Sequence, residues 1–180
     1  MSRPIPYMPN QNPTTLEYLE VDWAMFGELC RALALKVARE YDPEVIVGIA
    51  RAGVIPGAVV ASILRLDFHS MKISRRSEDD TIRERPEILS AAPRQVAGKR
   101  VLIVDEITTS GDTMRLALAA VRDAQPSEVR TATSFARTSG YRPDYSALTM
   151  DANVIFPWDR KIFEGGELVV NPRYEGVLDD

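Results

Sequence analysis

The sequence lacks the features that mark secreted and membrane proteins. Its only cysteine, Cys30, cannot form an internal disulfide, so nothing in the chain indicates an oxidising compartment. No stretch approaches the roughly 18 uninterrupted apolar residues of a membrane-spanning helix. Residues 1–13 contain four prolines and no apolar secretion segment, which predicts an extended N-terminal arm. We therefore expect a cytoplasmic protein with no membrane partner.

Basic residues are fewer than acidic residues, and histidine is scarce. The 22 Lys and Arg residues are outnumbered by 26 Asp and Glu residues, which gives a net charge of -4. A chain of this charge has no general field that attracts nucleic acid, so we expect no nucleic-acid partner. Any anionic ligand must then be held by local geometry. The single histidine, His69, lies in a predicted strand and is interpreted as structural.

Apolar strands alternate with helices along most of the chain. Helices are predicted for residues 22–41, 56–66 and 111–124, and strands for 44–50, 66–73, 100–105 and 128–135. This alternation predicts an α/β fold with an open, mostly parallel twisted sheet and helices on both faces. Residues 74–99 are polar, charged and without periodicity, so we predict one long loop there.

The length and composition indicate a single domain. The chain has 180 residues, of which 45% are hydrophobic, and this is enough for one substantial core. We expect the domain to span residues 14–180. Its core is predicted over about 22–137, and the short extended pieces of about 138–180 are predicted to form a small C-terminal hood.

Two segments at strand ends carry the functional signal, because ligands of a parallel α/β sheet bind beyond the carboxyl ends of its strands. The segment VGIARAGVIPG (47–57) places Arg51, Ala52 and Gly53 in a tight turn between a strand and a helix. The segment VLIVDEITTSGDT (101–113) runs from branched apolar residues into two carboxylates, several hydroxyls and a helix start. Both segments are candidates for a ligand site.

The second segment has the properties of a phosphate site. Its free backbone amides are those of Ser110, Gly111, Asp112 and Thr113, and its hydroxyl donors are Thr108, Thr109, Ser110 and Thr113. Such amides and the helix dipole favour an anion, and Gly111 permits a close approach. Asp105 and Glu106 would repel a phosphate and suit a sugar diol or a hydrated cation beside it. The predicted ligand is a phosphorylated sugar.

Two common phosphate-binding motifs do not fit the chain. Gly48 and Gly53 have the spacing of a P-loop, but Val54 and Ile55 follow where that loop has Lys and Ser or Thr. The G-x-G-x-x-G pattern of dinucleotide-binding proteins does not occur. The sequence therefore indicates a different kind of phosphate site.

The segment VLIVDEITTSGDT resembles the 5-phosphoribosyl-1-pyrophosphate (PRPP) motif of the type I phosphoribosyltransferases. The motif consists of a branched strand, two acidic residues, a hydroxyl-rich turn and a Gly-x-Thr helix start. The segment VGIARAGVIPG is similar to the family's pyrophosphate loop, and residues 74–99 fall where the family has its flexible catalytic loop. VIFPWD (154–159) resembles the hood strand of the xanthine-guanine and archaeal 6-oxopurine members. The resemblance spans about residues 22–160.

The resemblance implies a reaction and a set of roles. A member of this family transfers the 5-phosphoribosyl group of PRPP to a nucleobase and releases pyrophosphate, with Mg²⁺ as cofactor. Asp105 and Glu106 would hold the ribose hydroxyls and, through these or water, the metal. Residues 108–113 would cradle the 5-phosphate, and the turn 51–53, with Arg51 as a third catalytic residue, would meet pyrophosphate across a candidate cis peptide at 51–52. Because the fold commonly dimerises, we expect a homodimer or a higher homo-oligomer.

Three positions depart from the pattern of the 6-oxopurine enzymes. Those enzymes usually carry an Asp where this chain has Thr109, a Lys where it has Arg137 and a base-stacking aromatic where it has Asn153. The residues assigned to the base are Arg137, Asn153, Val154 and Asp159. The leading expectation is purine salvage with guanine, xanthine or hypoxanthine, and the identity of the base stays open.

Two alternatives also stay open. One is a PRPP- or nucleotide-sensing regulator on the same fold, and the other is a phosphoribosyltransferase for a pyrimidine or a modified base. The chain is acidic and has no room for an added DNA-binding domain, which favours an enzyme. Arg75 and Arg76 in the long loop are candidates to reach pyrophosphate, the alternative being a solvated charged loop.

Overall fold

The computed structural model describes residues 17–76 and 81–178, and the predicted arm 1–13 lies outside these ranges. The chain divides into two compact units. The larger unit is Gly27–Met150, and the smaller unit joins the described residues up to Phe26 with those from Asp151 onward. The division comes later in the chain than the core boundary expected at about residue 137. The single domain expected over 14–180 stays a prediction.

The three predicted helices and the four predicted strands are present, with ends that differ by only a few residues, and the structure adds six further strands in its described residues. The helices are α1 Trp23–Glu40, α2 Val54–Leu64 and α3 Asp112–Asp123. The strands are β1 Tyr18–Glu20, β2 Val45–Ala50, β3 Asp67–Arg76, β4 Ile82–Ile88, β5 Arg100–Thr108, β6 Glu128–Ala136, β7 Tyr145–Thr149, β8 Asn153–Ile155, β9 Lys161–Glu164 and β10 Glu167–Val170. In the described part of the chain, no helix has the length and apolar character needed to cross a membrane.

A six-stranded sheet organises the larger unit, in the order β4-β3-β2-β5-β6-β7. Its neighbours pair in parallel except β3 and β4, which are antiparallel. The central strands β2 and β5 consist largely of branched apolar residues because both of their faces are covered. These features confirm the predicted open, mostly parallel α/β sheet.

Helices cover both faces of this sheet. Val37 of α1 and Val60 of α2 belong to one buried cluster with Leu102 of β5. Met114 of α3 belongs to a second buried cluster with Ile103, the next residue of the same strand. Successive strand residues point to opposite faces, so β5 is packed on both sides. This packing fixes β5, which carries the acidic pair near its carboxyl end.

Residues 74–99 do not form the single long loop that the sequence predicted. β3 continues to Arg76, and β4 pairs with it so that Ile73 lies opposite Ile88. β4 is the edge of the sheet and most of its side chains are exposed, so it has no apolar periodicity to read. Pro86 is tolerated in it because an edge strand can lack a backbone donor. The sequence prediction was wrong here because β4 turns almost no side chain towards the core.

β7 lies in the region 138–180 that the sequence assigned to the hood. It pairs in parallel with β6, so the central sheet continues to Thr149. Parallel neighbours usually need a crossover of a dozen or more residues, commonly a helix. The connection 137–144 is short and contains no helix, which is why the sequence pattern did not reveal this strand.

The smaller unit consists of short strands and an aromatic cluster. β1 pairs in parallel with β8, and β9 pairs with β10 as an antiparallel hairpin. The ring of Trp158 stacks on Phe156 with centroids 4.6 Å apart and meets Phe26 edge-on at 4.9 Å. Rings in these arrangements bury much apolar area, so Trp158 anchors this unit.

Candidate functional site

Two adjacent acidic residues lie near the carboxyl end of β5. Asp105 is only 8% exposed, whereas Glu106 is half-buried. The backbone amide of Glu106 donates a hydrogen bond to Asp105 Oδ1 at 3.0 Å. Burial raises the pKa of Asp105 well above its ordinary value, and the neighbouring charge of Glu106 raises it further. A carboxylate in such a dry position acts strongly on whatever binds beside it.

Gly53 brings the turn after β2 against Asp105. An ideal Cβ at Gly53 would lie 2.7 Å from Asp105 Oδ1 and 2.7 Å from the carbonyl oxygen of Ile49. Real Cβ atoms do not come so close to other atoms, so glycine alone fits this position. The structure thus brings together the two segments that the sequence singled out.

The turn after β2 contains a cis peptide bond between Ala50 and Arg51. The candidate taken from the family resemblance was the 51–52 peptide, so the bond lies one position earlier than expected. The side chain of Arg51 is exposed and Ala52 is half-buried, while Gly53 is the N-cap of α2. The guanidinium of Arg51 is therefore accessible at the edge of the sheet where β2 ends.

Gly111 makes the sharp turn into α3. Its φ of 82° lies in the left-handed region, and it is the N-cap of the helix without a side-chain cap. The amides of the first helical turn therefore receive no side-chain acceptor from the N-cap. Thr108 Oγ1 is buried and has no hydrogen-bond partner within the residues that the structure describes. Thr109 and Ser110 are exposed and Thr113 is half-buried, so the turn offers several donors to an anion.

Asp112, the first residue of α3, makes the turn less open than the sequence indicated. Its carboxylate accepts hydrogen bonds from Ser110 Oγ at 3.0 Å and from Arg75 Nη2 at 2.8 Å. A phosphate that uses the Ser110 hydroxyl must therefore displace this bond. Arg75 was a candidate to reach pyrophosphate, and the structure places it against Asp112, at the start of α3, through this ion pair.

Two hydroxyls beside the acids were missed by the sequence reasoning. Thr133 pairs with Asp105 in the parallel ladder between β5 and β6, and Ser134 follows it. Both side chains are fully buried, and their hydroxyl oxygens have no hydrogen-bond partner in the described part of the chain. In the sequence they are ordinary strand residues, and only the strand register places Thr133 beside Asp105.

Three of the residues assigned to the base are half-buried and lie in different units. Arg137 immediately follows β6 in the larger unit. Asn153 and Val154 are on β8 in the smaller unit, opposite Tyr18 and Leu19 of β1. Their roles in base binding stay predictions.

Asp159, the fourth residue assigned to the base, is bonded within the smaller unit. Its Oδ2 accepts a hydrogen bond from the Tyr174 hydroxyl at 2.6 Å, and its Oδ1 accepts one from Asn171 Nδ2 at 3.2 Å. The backbone carbonyl of Asp159 also accepts from Asn171 Nδ2 at 2.9 Å. Both carboxylate oxygens thus have donors from the C-terminal segment, and a contact with a base stays a prediction.

The acidic pair fits the way in which proteins hold Mg²⁺ together with a phosphorylated substrate. Among residues 17–76 and 81–178, no cluster of three or more His, Cys, Asp or Glu side chains could hold a metal ion by itself. Mg²⁺ keeps several waters and usually binds through one or two carboxylates and substrate phosphates. Asp105 and Glu106 supply such a partial donor set.

Comparisons with known proteins agree with this geometry. The chain is 28% identical over 160 residues to a xanthine-guanine phosphoribosyltransferase of Nitratidesulfovibrio vulgaris, covering 85% of this chain and 91% of the relative. A purine phosphoribosyltransferase from Pyrococcus horikoshii has a similar structure, with a TM-score of 0.69 and 26% identity over 83% of this chain and 99% of that one.

A third comparison concerns the fold alone. The Helicobacter pylori xanthine-guanine-hypoxanthine phosphoribosyltransferase is 19% identical, with a TM-score of 0.66 and coverage of 79% of this chain and 93% of that one.

Residues 21–164 match the phosphoribosyl transferase domain family. The chain therefore belongs to this family, which confirms the type I phosphoribosyltransferase resemblance and the predicted enzyme class.

Proposed function

We propose that the protein transfers the 5-phosphoribosyl group of PRPP to a purine base and releases pyrophosphate. The observation that carries this proposal is the contact between Gly53, in the turn after β2, and Asp105, on β5 shortly before the hydroxyl-rich turn. One turn offers Arg51 and the other offers the donors of residues 108–113. A ligand with phosphates at both ends of a ribose fits this pair of turns.

The acidic pair acts on the ribose. Asp105 and Glu106 accept hydrogen bonds from the ribose hydroxyls, which orients the anomeric carbon. The bond from this carbon to pyrophosphate breaks as the bond to a ring nitrogen of the base forms, and positive charge develops on the sugar. Buried carboxylates stabilise such charge strongly because little water screens them.

The turn after β5 binds the 5-phosphate. Thr108 Oγ1 is buried without a partner among the described residues, and a phosphate oxygen would supply the missing acceptor. Gly111 lets the backbone approach the ligand closely, and the N-terminus of α3 favours the negative charge. The phosphate therefore fixes the sugar relative to the acidic pair.

The leaving group lies against the turn after β2. Arg51 is exposed there and donates to pyrophosphate oxygens, while Ala52 and Gly53 offer backbone amides. Charge on the departing pyrophosphate would be neutralised by a Mg²⁺ ion bound with PRPP. Asp105 and Glu106 would hold the metal indirectly, through ribose hydroxyls or water.

A purine is the proposed acceptor. The support is the similarity to the Pyrococcus horikoshii purine enzyme, which covers most of both chains. In the proposed complex Arg137 donates to a carbonyl oxygen of the base, and contacts of Asn153 and Val154 with the base are separate predictions. Asn153 offers amide hydrogen bonds where an aromatic would stack, so we propose weaker base binding than in enzymes that stack the ring.

The proposal is tested by the release of pyrophosphate from PRPP and Mg²⁺ over a panel of purines and pyrimidines. We expect release with at least one of guanine, xanthine and hypoxanthine. Release with a pyrimidine alone would change the acceptor and keep the enzyme. PRPP binding without release for any base would instead support a PRPP-sensing regulator.

The quaternary structure and location belong to the same proposal. We propose a cytoplasmic homodimer or higher oligomer that has neither nucleic acid nor membrane as a partner. We propose that the face of α2 formed by Ala58, Val59, Ser62 and Ile63 takes part in this self-association. Light scattering of the purified chain, with Ile63→Glu as the disrupting variant, tests the oligomeric state.

A further inference from the structure

A short segment before β7 packs against the turn between β5 and α3, to which we assign the 5-phosphate. Residues 139–144, which we call the buttress, had no role in the sequence reasoning. The backbone amide of Tyr141 donates a hydrogen bond to the carbonyl oxygen of Thr109 at 3.1 Å. Gly140 lies against the same carbonyl, since an ideal Cβ there would be 2.5 Å from the Thr109 oxygen. The buttress therefore touches the backbone of the turn directly.

The side chain of Tyr141 covers Gly111. An ideal Cβ built on Gly111 would overlap Cβ and Cγ of Tyr141. The tyrosine thus packs against the backbone of the residue that turns the chain into α3. This packing leaves Gly111 no room to move towards the buttress.

Arg115 of α3 completes the contact. Its guanidinium lies 5.2 Å from the centroid of the Tyr141 ring, a cation–π distance. Its Nη1 donates a hydrogen bond to the carbonyl oxygen of Ser110 at 2.8 Å. The carbonyls of Thr109 and Ser110 are therefore held by the Tyr141 amide and the Arg115 guanidinium. These two donor residues also pack against each other.

These two bonds fix the direction of the next two amides. In a planar trans peptide the C=O and the N–H of the same unit point in opposite directions. A Thr109 carbonyl held by the Tyr141 amide turns the N–H of Ser110 the other way. A Ser110 carbonyl held by Arg115 does the same for the N–H of Gly111. The Ser110 amide then faces away from the buttress, and the Gly111 amide faces away from the Arg115 guanidinium.

The buttress is itself anchored to the sheet. Asp144 Oδ2 accepts hydrogen bonds from the backbone amide of Thr131 at 2.7 Å and from Thr131 Oγ1 at 2.8 Å. Thr131 lies on β6 and is 1% exposed. A charge-assisted bond to a buried strand residue gives the buttress a fixed base.

We propose that Tyr141 and Arg115 are positioning residues for PRPP. They hold two carbonyls of the turn outward, so that the amides of Ser110 and Gly111 face the 5-phosphate before it binds. Neither side chain needs to touch the substrate for this role. The inference rests on the proposed function, because it requires that residues 108–113 bind the 5-phosphate.

The test measures the affinity of the full chain for PRPP with Mg²⁺ by titration calorimetry. The test variants are Tyr141→Ala and Arg115→Met. Tyr141→Phe keeps the ring, and Arg122→Met removes an exposed arginine from the last turn of the same helix. We expect the Kd for PRPP to rise about tenfold in both test variants, since misplaced binding groups typically cost this much or more. The two controls should stay within about twofold of the wild type.

The Michaelis constants separate positioning from general damage. The KM for PRPP should rise in both test variants, while the KM for the accepted base stays close to the wild-type value. A lower melting temperature with unchanged affinity for PRPP would mean that the contact serves stability alone, which overturns the inference. Arg115 is an exposed residue, so Arg115→Met can be measured even when Tyr141→Ala fails to fold, but this variant also loses the ion pair of Arg115 Nη1 with Asp112 Oδ1 at 3.3 Å. Salt screens exposed charges, so an increase in Kd relative to the wild type that disappears in 1 M salt would come from the lost charge and would overturn the inference.

A variant of the turn itself separates the phosphate-binding role of residues 108–113 from the positioning role of Tyr141 and Arg115. Ser110→Ala combined with Thr113→Ala removes hydroxyl donors assigned to the phosphate. Wild-type affinity for PRPP in this double variant would overturn the phosphate site and the inference together. Weaker binding there, with unchanged binding in both Tyr141→Ala and Arg115→Met, would overturn the inference alone.

Discussion

Two carboxylates, one in each unit, are bonded in opposite ways. Asp105 is buried in the larger unit, where it accepts a bond from the Glu106 amide and lies beside the like-charged Glu106 carboxyl. Asp159, in the smaller unit, accepts bonds from the Tyr174 hydroxyl and the Asn171 amide on its two oxygens. One acid has its charge poorly compensated by the fold, and the other is bonded on both oxygens.

The difference indicates what each acid is for. A buried charge beside a like charge costs stability, and such groups persist at sites where a ligand supplies the compensation. A carboxylate with donors on both oxygens stabilises the segment that provides them. We therefore interpret Asp105 as a functional residue and Asp159 first as an anchor of the C-terminal segment.

The largest expected effect tests the functional acid. Asp105→Asn combined with Glu106→Gln should lower kcat/KM for PRPP by about 10³-fold or more, because the charge that stabilises the developing cation is lost. The protein should stay folded, because amides replace the carboxyls with nearly the same shape. Asp159→Asn, the matched control in the other unit, should keep kcat within a few-fold of the wild type.

Steady-state kinetics and circular dichroism of the same samples check this prediction. Near-normal turnover in the double variant would contradict the assignment of the acidic pair. An equal loss of kcat in Asp159→Asn would remove the contrast between the two carboxylates.

The next effect concerns the turn beside the functional acid. Gly111→Ala should lower the free energy of unfolding by about 2 to 4 kcal/mol, because strain at positive φ adds to overlap with Tyr141. Gly98 is a matched control, with a φ of 69° and open space around its ideal Cβ. Gly98→Ala should show only the backbone strain of about 1 to 2 kcal/mol.

Urea unfolding of both variants measures the difference. A Gly111→Ala variant no less stable than Gly98→Ala would mean that Tyr141 does not pack against the turn as described. Tyr141 would then not hold the turn through Gly111, as the proposed positioning role requires.

The turn after β5 could be predicted from sequence because its parts are contiguous. The apolar strand, Asp105, the hydroxyls and Gly111 follow one another, and each residue type limits the chemistry of its own position. The alternation of strands and helices likewise predicted the parallel sheet and its two layers of helices. Local pattern was sufficient wherever neighbours in the chain are also neighbours in the site.

Other features depend on contacts that the sequence does not express. Tyr141 lies against Gly111 because of how the connection to β7 runs, and no periodicity indicates that. Thr133 lies beside Asp105 only through strand register. The β3–β4 hairpin was missed because an exposed edge strand needs no apolar pattern, and nothing local distinguishes a cis bond at Ala50–Arg51.

A smaller effect tests the anchoring acid. Tyr174→Phe should lower the free energy of unfolding by about 1 to 2 kcal/mol, because a buried hydroxyl bonded to a carboxylate is lost. Turnover and the KM for the base should stay unchanged.

Urea unfolding with a double-mutant cycle of Tyr174→Phe and Asp159→Asn measures the coupling energy between the two side chains. Additive losses of stability would show that the hydrogen bond between them contributes nothing. A raised KM for the base in Asp159→Asn would instead restore its assignment as a base contact.

The smallest expected effect is a gain of stability in Asp105→Asn. Because the pKa of Asp105 is raised in the folded state, the folded protein binds its proton more tightly than the unfolded chain does. The contribution of this carboxyl to the free energy of unfolding is therefore fully present below the ordinary pKa of 3.8. It declines as the pH rises towards the raised pKa of the folded state. Asparagine has no such loss, so the variant should be more stable at neutral pH by on the order of 1 kcal/mol. This advantage should shrink as the pH falls towards 4, whereas the exposed Asp67→Asn control should show no such trend.

Urea unfolding from pH 4 to pH 8 measures the difference in the free energy of unfolding between Asp105→Asn and the wild type. A variant that is less stable than the wild type at pH 7 would mean that the fold compensates the charge of Asp105 as fully as it does that of Asp159.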